Sequence, residues 1–138
     1  MKIKLILSLM LALILTLSFV SCADRVTRDE AKDQVNSLLN AVEESDFDNA
    51  AKLLHPNREF DIEGLFTRAE TEYSVDFQSG IEIKRYTGFS SALYESEVDG
   101  SEYELEMDIT VSGRVLELTV DIVRNDSGFG IYEIDIDD

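Results

Sequence analysis

The carboxylates of this chain are concentrated where they alternate with apolar residues. Glu102, Glu104, Glu106 and Asp108 alternate with Tyr103, Leu105, Met107 and Ile109; Glu117 and Asp121 fall between Leu116, Leu118, Val120 and Ile122; Glu133, Asp135 and Asp137 flank Ile134 and Ile136. In extended backbone successive side chains point to opposite faces, so this spacing gathers the acids on one side of a sheet, within cross-strand reach of one another. Like charges directly opposite each other cost up to about 1 kcal/mol per pair, so such a face favours a cation or a basic partner that relieves the repulsion. Calcium suits oxygen-only ligands, but it takes about six to eight converging oxygens. No EF-hand loop is present, and a flat face converges poorly, so no metal ligands are assigned. Three readings stand for these acids: a solvated face, a surface for a basic protein or polymer, and a calcium site of a structural protein.

His55 is the only histidine. A catalytic reading makes it the general base of a pocket enzyme. Its place at a helix C-terminus, just before Pro56, points instead to an imidazole that satisfies terminal carbonyls and complements the helix dipole. One imidazole cannot build a histidine-rich zinc or iron site, and no G-x-S-x-G, glycine-rich phosphate loop or H-E-x-x-H occurs. The sequence therefore assigns no catalytic residue and no cofactor. Phe66, Tyr73, Tyr86 and Tyr103 are candidates to line a ligand cavity; filling of a core accounts for them equally well.

The elements that must position these groups divide into a helical first half and a stranded second half. Thr27-Arg28-Asp29-Glu30 is a capping box, and Ala31, Val35, Leu38, Leu39 and Val42 follow at helical spacing, which predicts a helix over 27–44. Asp46 caps a second, shorter helix carrying Phe47, Ala50, Ala51, Leu53 and Leu54, which stops near His55 because Pro56 disfavours helix in the residue before it. Phe60, Ile62, Leu65, Phe66, Ala69 and Tyr73 predict a third, ending before Gly80. From Ile81 the period changes from 3.6 to 2. The stretch 81–98, one long strand or a broken one because Gly88-Phe89-Ser90-Ser91 interrupts its alternation as a bulge would, leads through Asp99-Gly100 to a second strand. Ser112-Gly113 turns into a third, and Asn125-Asp126-Ser127-Gly128 into a last strand with Tyr132, Ile134 and Ile136 on one face. One apolar sheet face needs cover, and the helices are the cover available. The expected fold is α+β, with three N-terminal helices packed on one face of a curved four-stranded antiparallel sheet.

Ahead of this domain, Lys2 and Lys4 precede an apolar run of about sixteen residues from Leu5, the n-region and h-region of an export signal and short for a spanning helix. Phe19-Val20-Ser21-Cys22 resembles the lipobox of bacterial lipoproteins, although Phe19 stands where leucine is usual. The resemblance implies that residues 1–21 are removed, that Cys22 carries the lipid, and that the protein is extracytoplasmic, anchored to the cell membrane or the outer membrane. Two acyl chains hold a protein stably where one does not. Cys22 is the only cysteine, so once it is acylated disulfides, thiolate catalysis and cysteine-metal sites are excluded. Residues 23–26 form a short tether, and one domain fills 27–138. Loss of Lys2 and Lys4 leaves 10 basic against 29 acidic residues, a net charge of −19, which argues against nucleic acid and against adhesion of the protein surface to anionic lipid.

The element order, together with Ser45-Asp46-Phe47-Asp48-Asn49-Ala50-Ala51-Lys52-Leu53-Leu54-His55-Pro56 as a small helix ending in a leucine-histidine-proline corner, is similar to the nuclear transport factor two-like group of the cystatin-like superfold, and in particular to its small bacterial lipoproteins. The resemblance implies a cone between helices and sheet, the place where that superfold's isomerases and dehydratases work, and edge strands that pair into dimers. No catalytic motif of those enzymes can be matched here residue by residue, and fold alone carries no activity. The sequence reading is thus a lipid-anchored, noncatalytic ligand-binding or interaction domain, with a pocket enzyme and a calcium-binding structural protein as alternatives.

Overall fold

The computed structural model describes residues 25–95 and 98–138; the expected signal segment 1–21 and Cys22 lie outside the described residues. Helix α1 spans Arg28–Glu43 and is nucleated by the capping box: the Thr27 hydroxyl accepts from the Glu30 N–H, and Glu30 Oε2 accepts from the Thr27 N–H at 2.9 Å. These two bonds satisfy donors that a helix start otherwise leaves unpaired. Its buried stripe is Ala31, Val35, Leu38, Leu39, Ala41 and Val42. Helix α2, Phe47–Ala51, is capped by Asp46, and α3, Ile62–Tyr73, by Asp61. The third helix ends at Tyr73, earlier than the approach to Gly80, because Ser74 takes a left-handed conformation; a 3-10 turn, Phe77–Ser79, fills the gap.

The strands are β1 (Ile81–Glu95), β2 (Gly100–Val111), β3 (Arg114–Asn125) and β4 (Gly128–Asp137), antiparallel throughout and ordered β1-β2-β3-β4. The described residues are therefore α+β, three helices followed by a four-stranded meander. Helix α1 lies against β1, β2 and β3. Between it and the sheet the inward residues Leu105, Met107, Ile109, Leu116, Leu118, Val120 and Ile122 are completely buried. Phe66 of α3 meets Phe77 of the 3-10 turn edge to face, ring centres 5.1 Å apart.

Two sheet irregularities differ from the sequence expectation. Strand β1 stays paired through Gly88-Phe89-Ser90-Ser91; its register shifts fall at Ile83/Arg85, Tyr86/Gly88 and Leu93/Glu95. In β4 the pairing steps from Glu133, opposite Asp121, to Ile131, opposite Ile122, so Tyr132 is the extra residue of a bulge. Ile131, fully buried, takes the core position that alternation gives to Tyr132. The cause lies in α2's exit: the Ile131 N–H donates to Leu53 O and the His55 N–H to Ile131 O, pinning β4 to the helical corner. This close approach needs Gly130, where a Cβ would stand 2.7 Å from both Leu53 O and the His55 nitrogen.

Candidate functional site: the acidic face of the sheet

The face turned away from the helices carries the acids. In register, Glu104 of β2 stands opposite Asp121 of β3, and Asp121 opposite Glu133 of β4, so three carboxylates form one row across three strands. Two further rows follow toward the β2–β3 turn: Glu106, Thr119 and Asp135, then Asp108, Glu117 and Asp137. Glu102 lies on the same face, opposite Val123. The structure thus brings Glu102, Glu104, Glu106, Asp108, Glu117, Asp121, Glu133 and Asp135 onto one surface. Among the described residues, no group of three or more carboxylate, imidazole or thiol side chains is arranged to hold a metal ion.

The members of this surface are not equivalent. Asp108 is buried and takes the Arg85 Nε–H at 2.6 Å, an ion pair whose guanidinium is largely exposed. Asp121 occupies the centre of the face, on an interior strand between longer glutamates. Its Oδ1 is shielded from solvent and has no hydrogen-bond partner among the described residues. Burial first, and then the charges of Glu102, Glu104 and Glu133, push the Asp121 carboxyl up from 3.8 to about 7. Chemically, Asp121 can hold a proton near neutrality, and when it is ionised the row presents concentrated negative potential.

His55 is 1% exposed and does not cap its own helix as expected. Its Nδ1 accepts from the Asn57 N–H at 3.1 Å, which leaves the ring proton on Nε2, facing Asn125 Oδ1 at 3.0 Å and Gly128 O at 3.2 Å. The imidazole clamps the α2 corner to the β3–β4 turn, and Asn125 extends the clamp by donating to Val98 O at 2.8 Å. With both nitrogens engaged, no lone pair is left to act as a base. A groove of about 360 Å³ runs past it, lined by Leu54, His55, Pro56, Arg58 and Phe60.

Of the aromatic candidates, Phe66, Tyr73 and Tyr103 are buried members of the core, and the Tyr73 hydroxyl is held by Ile136 O at 3.0 Å. Tyr86 sits at the rim, half-buried, under the Lys32 ammonium at 4.4 Å from the ring centre. Sequence alternation placed the acids on one face. It carried no signal for the depth of Asp121, which depends on which strands flank β3, or for the Arg85–Asp108 pair, which depends on the shift at Ile83/Arg85.

Helices and face together define the class, an α+β domain whose sheet, among the described residues, is covered by helices on one side and is acidic and free of helices on the other. Comparison with protein-family models, with curated proteins and with solved structures finds no match for this chain.

Proposed function

We propose that this protein is a lipid-anchored, extracytoplasmic, noncatalytic domain that presents its acidic sheet face to a basic protein or polymer. The observation that carries the reading is the row Glu104–Asp121–Glu133: three carboxylates in register, the central one sheltered and without a hydrogen-bond partner among the described residues. Such a row is electrostatically costly by itself and relieved by an incoming cation. Ammonium or guanidinium groups spaced along an extended chain fit it better than a single metal ion, because the acids spread over a plane. Anchoring rests on the lipobox-like segment ending at Cys22, and among the described residues no helix is long and apolar enough to cross a membrane.

The test is the binding of a fluorescently labelled deca-lysine peptide to the lipidated full chain in neutral detergent, followed by anisotropy. Binding is expected to weaken as salt rises, and the triple variant E104Q/D121N/E133Q to lower affinity about tenfold. Equal affinity of the triple variant and the native chain overturns the assignment of this face. For the anchor, Cys22→Ala is expected to abolish labelled-palmitate incorporation and move the protein out of the membrane fraction.

A further inference from the structure

The chain leaves the domain at a corner unlike the rest of its surface. The Val26 N–H donates to Ser101 Oγ at 2.9 Å, and the Arg25 carbonyl accepts from Arg124 Nη1 at 3.0 Å. Ser101 is the cross-strand partner of Leu93, so the tether starts beside the far end of β1. There, Phe89 and Leu93 lie on the helix-facing side of this edge strand, yet they are 55% and 40% exposed, because α1 begins only alongside them. The other large exposed apolar side chain among the described residues, Val115, belongs to the opposite face at the opposite end of the sheet.

Several cations of this acidic domain stand on the same side. The Arg28 guanidinium stacks over the Phe89 ring at 4.3 Å, and Lys32, one turn further along α1, covers Tyr86. Arg25, exposed, is the first described residue. Arg124, close by, is engaged with Glu30, donating to its Oε1 at 2.9 Å and holding that carboxyl below its usual range. Asp29 and Asp33 lie on the next face of the helix, about 100° round from Arg28 and Lys32. Flat aromatic rings capped by long cationic side chains suit a membrane interface, where the apolar part enters the acyl boundary and the charge meets headgroup phosphate.

We infer that the corner formed by Phe89, Leu93, Arg25, Arg28 and Lys32 is a membrane-docking surface that seats the domain on an anionic bilayer. The inference rests on the lipid anchor proposed above. Cys22 stands three residues before Arg25, so an acylated Cys22 holds this corner within about 10 Å of the lipid surface even with the tether fully extended. A net charge of −19 repels the domain as a whole from anionic lipid, and Asp24 in the tether and Asp29 and Asp33 on α1 are acidic too, so the docking rests on entry of Phe89 and Leu93 into the acyl boundary, with Arg25, Arg28 and Lys32 meeting the phosphates directly beneath them. Docked this way, the acidic sheet face, on the side of the sheet opposite Phe89 and Leu93, is left open to solvent and partners.

The protein has no tryptophan, so a single introduced indole reports its own surroundings. The lipidated full chain carrying Phe89→Trp is reconstituted into phosphatidylethanolamine–phosphatidylglycerol vesicles containing acyl-brominated lipid, and flotation and fluorescence are read together. Leu93→Trp is the second probe at the corner and Val115→Trp the control. Expected are quenching and a blue-shifted emission at 89 and 93, no quenching at 115, and about a fivefold loss of quenching on adding R28E/K32E while flotation is unchanged. Flotation without quenching at either corner position overturns the docking surface and leaves the anchor standing. Failure to float overturns both. A blue shift without quenching, together with a dimer by light scattering, assigns the corner to a second copy of the chain and likewise overturns the proposal.

Discussion

The two faces of one sheet are built from alternate residues of the same strands, and they solve opposite problems. On the helix side, Leu105, Leu118 and Val120 are sealed between sheet and helices, where burial removes apolar area from water at about 25 cal/mol per Å². On the other side, Glu104, Asp121 and Glu133 stand in register and repel one another. Stability comes from the first face and is partly given back at the second. That cost is the ground on which the proposed basic partner rests.

The largest test of this contrast uses neighbours on β3. Leu118→Ala is expected to destabilise by about 3 kcal/mol in chemical denaturation, because it opens a cavity among closely packed side chains, while Thr119→Ala, one residue on but facing outward, stays within about 0.5 kcal/mol. Equal losses would break the distinction between the faces. Next comes the clamp at the helical corner. His55→Ala leaves Asn125 Oδ1 and Gly128 O without their shared donor and vacates a buried ring, so a loss of about 2 to 3 kcal/mol is expected, with the β3–β4 turn becoming the first region to exchange amide hydrogens. Uniform exchange after the substitution would remove the clamp from the account.

At the centre of the acidic face the sign reverses. The Asp121 carboxyl is raised in the folded protein, so between about 4 and 7 the folded state holds a proton that the unfolded chain has released, and stability falls as pH rises through that window, levelling off above it. Asp121→Asn removes this dependence. The variant is expected to be more stable than the native chain by about 1 to 2 kcal/mol at pH 8, after allowance for partial exposure, and close to it at pH 4. A native-like pH profile in the variant would show that Asp121 is not the group that titrates. The smallest effect belongs to the row's edge: Glu133→Gln takes away one of the charges acting on Asp121, so the carbon-13 titration of the Asp121 carboxyl is expected to move to lower pH, with melting temperature almost unchanged.

The residues also explain where sequence reading succeeded. The capping box at Thr27 and the stripe Ala31, Val35, Leu38, Leu39 and Val42 are local signals, written within one turn or one face of a helix, and α1 follows them. Alternation in β2 and β3 is equally local, and so the sharing of one face by the acids was legible. His55 was not, because its partners Asn125 and Gly128 lie 70 and 73 residues away and only the meander brings them to the α2 corner. The bulge at Tyr132 escaped for the same reason: the Ile131 N–H donating to Leu53 O and the His55 N–H donating to Ile131 O set the register of β4, and neither is visible in the periodicity of β4 itself.

By itself the sequence determined the division into helices and strands, the turns between strands, the excess of acid and its restriction to alternate positions, since each depends on neighbours along the chain. Tertiary structure alone decided which acid is central and sheltered, which histidine nitrogen carries the proton, and that Arg28 covers Phe89 on the side where the chain leaves for Cys22. Depth, proton position and convergence of distant residues are properties of pairs far apart in sequence, and only the packed sheet and helices fix those distances.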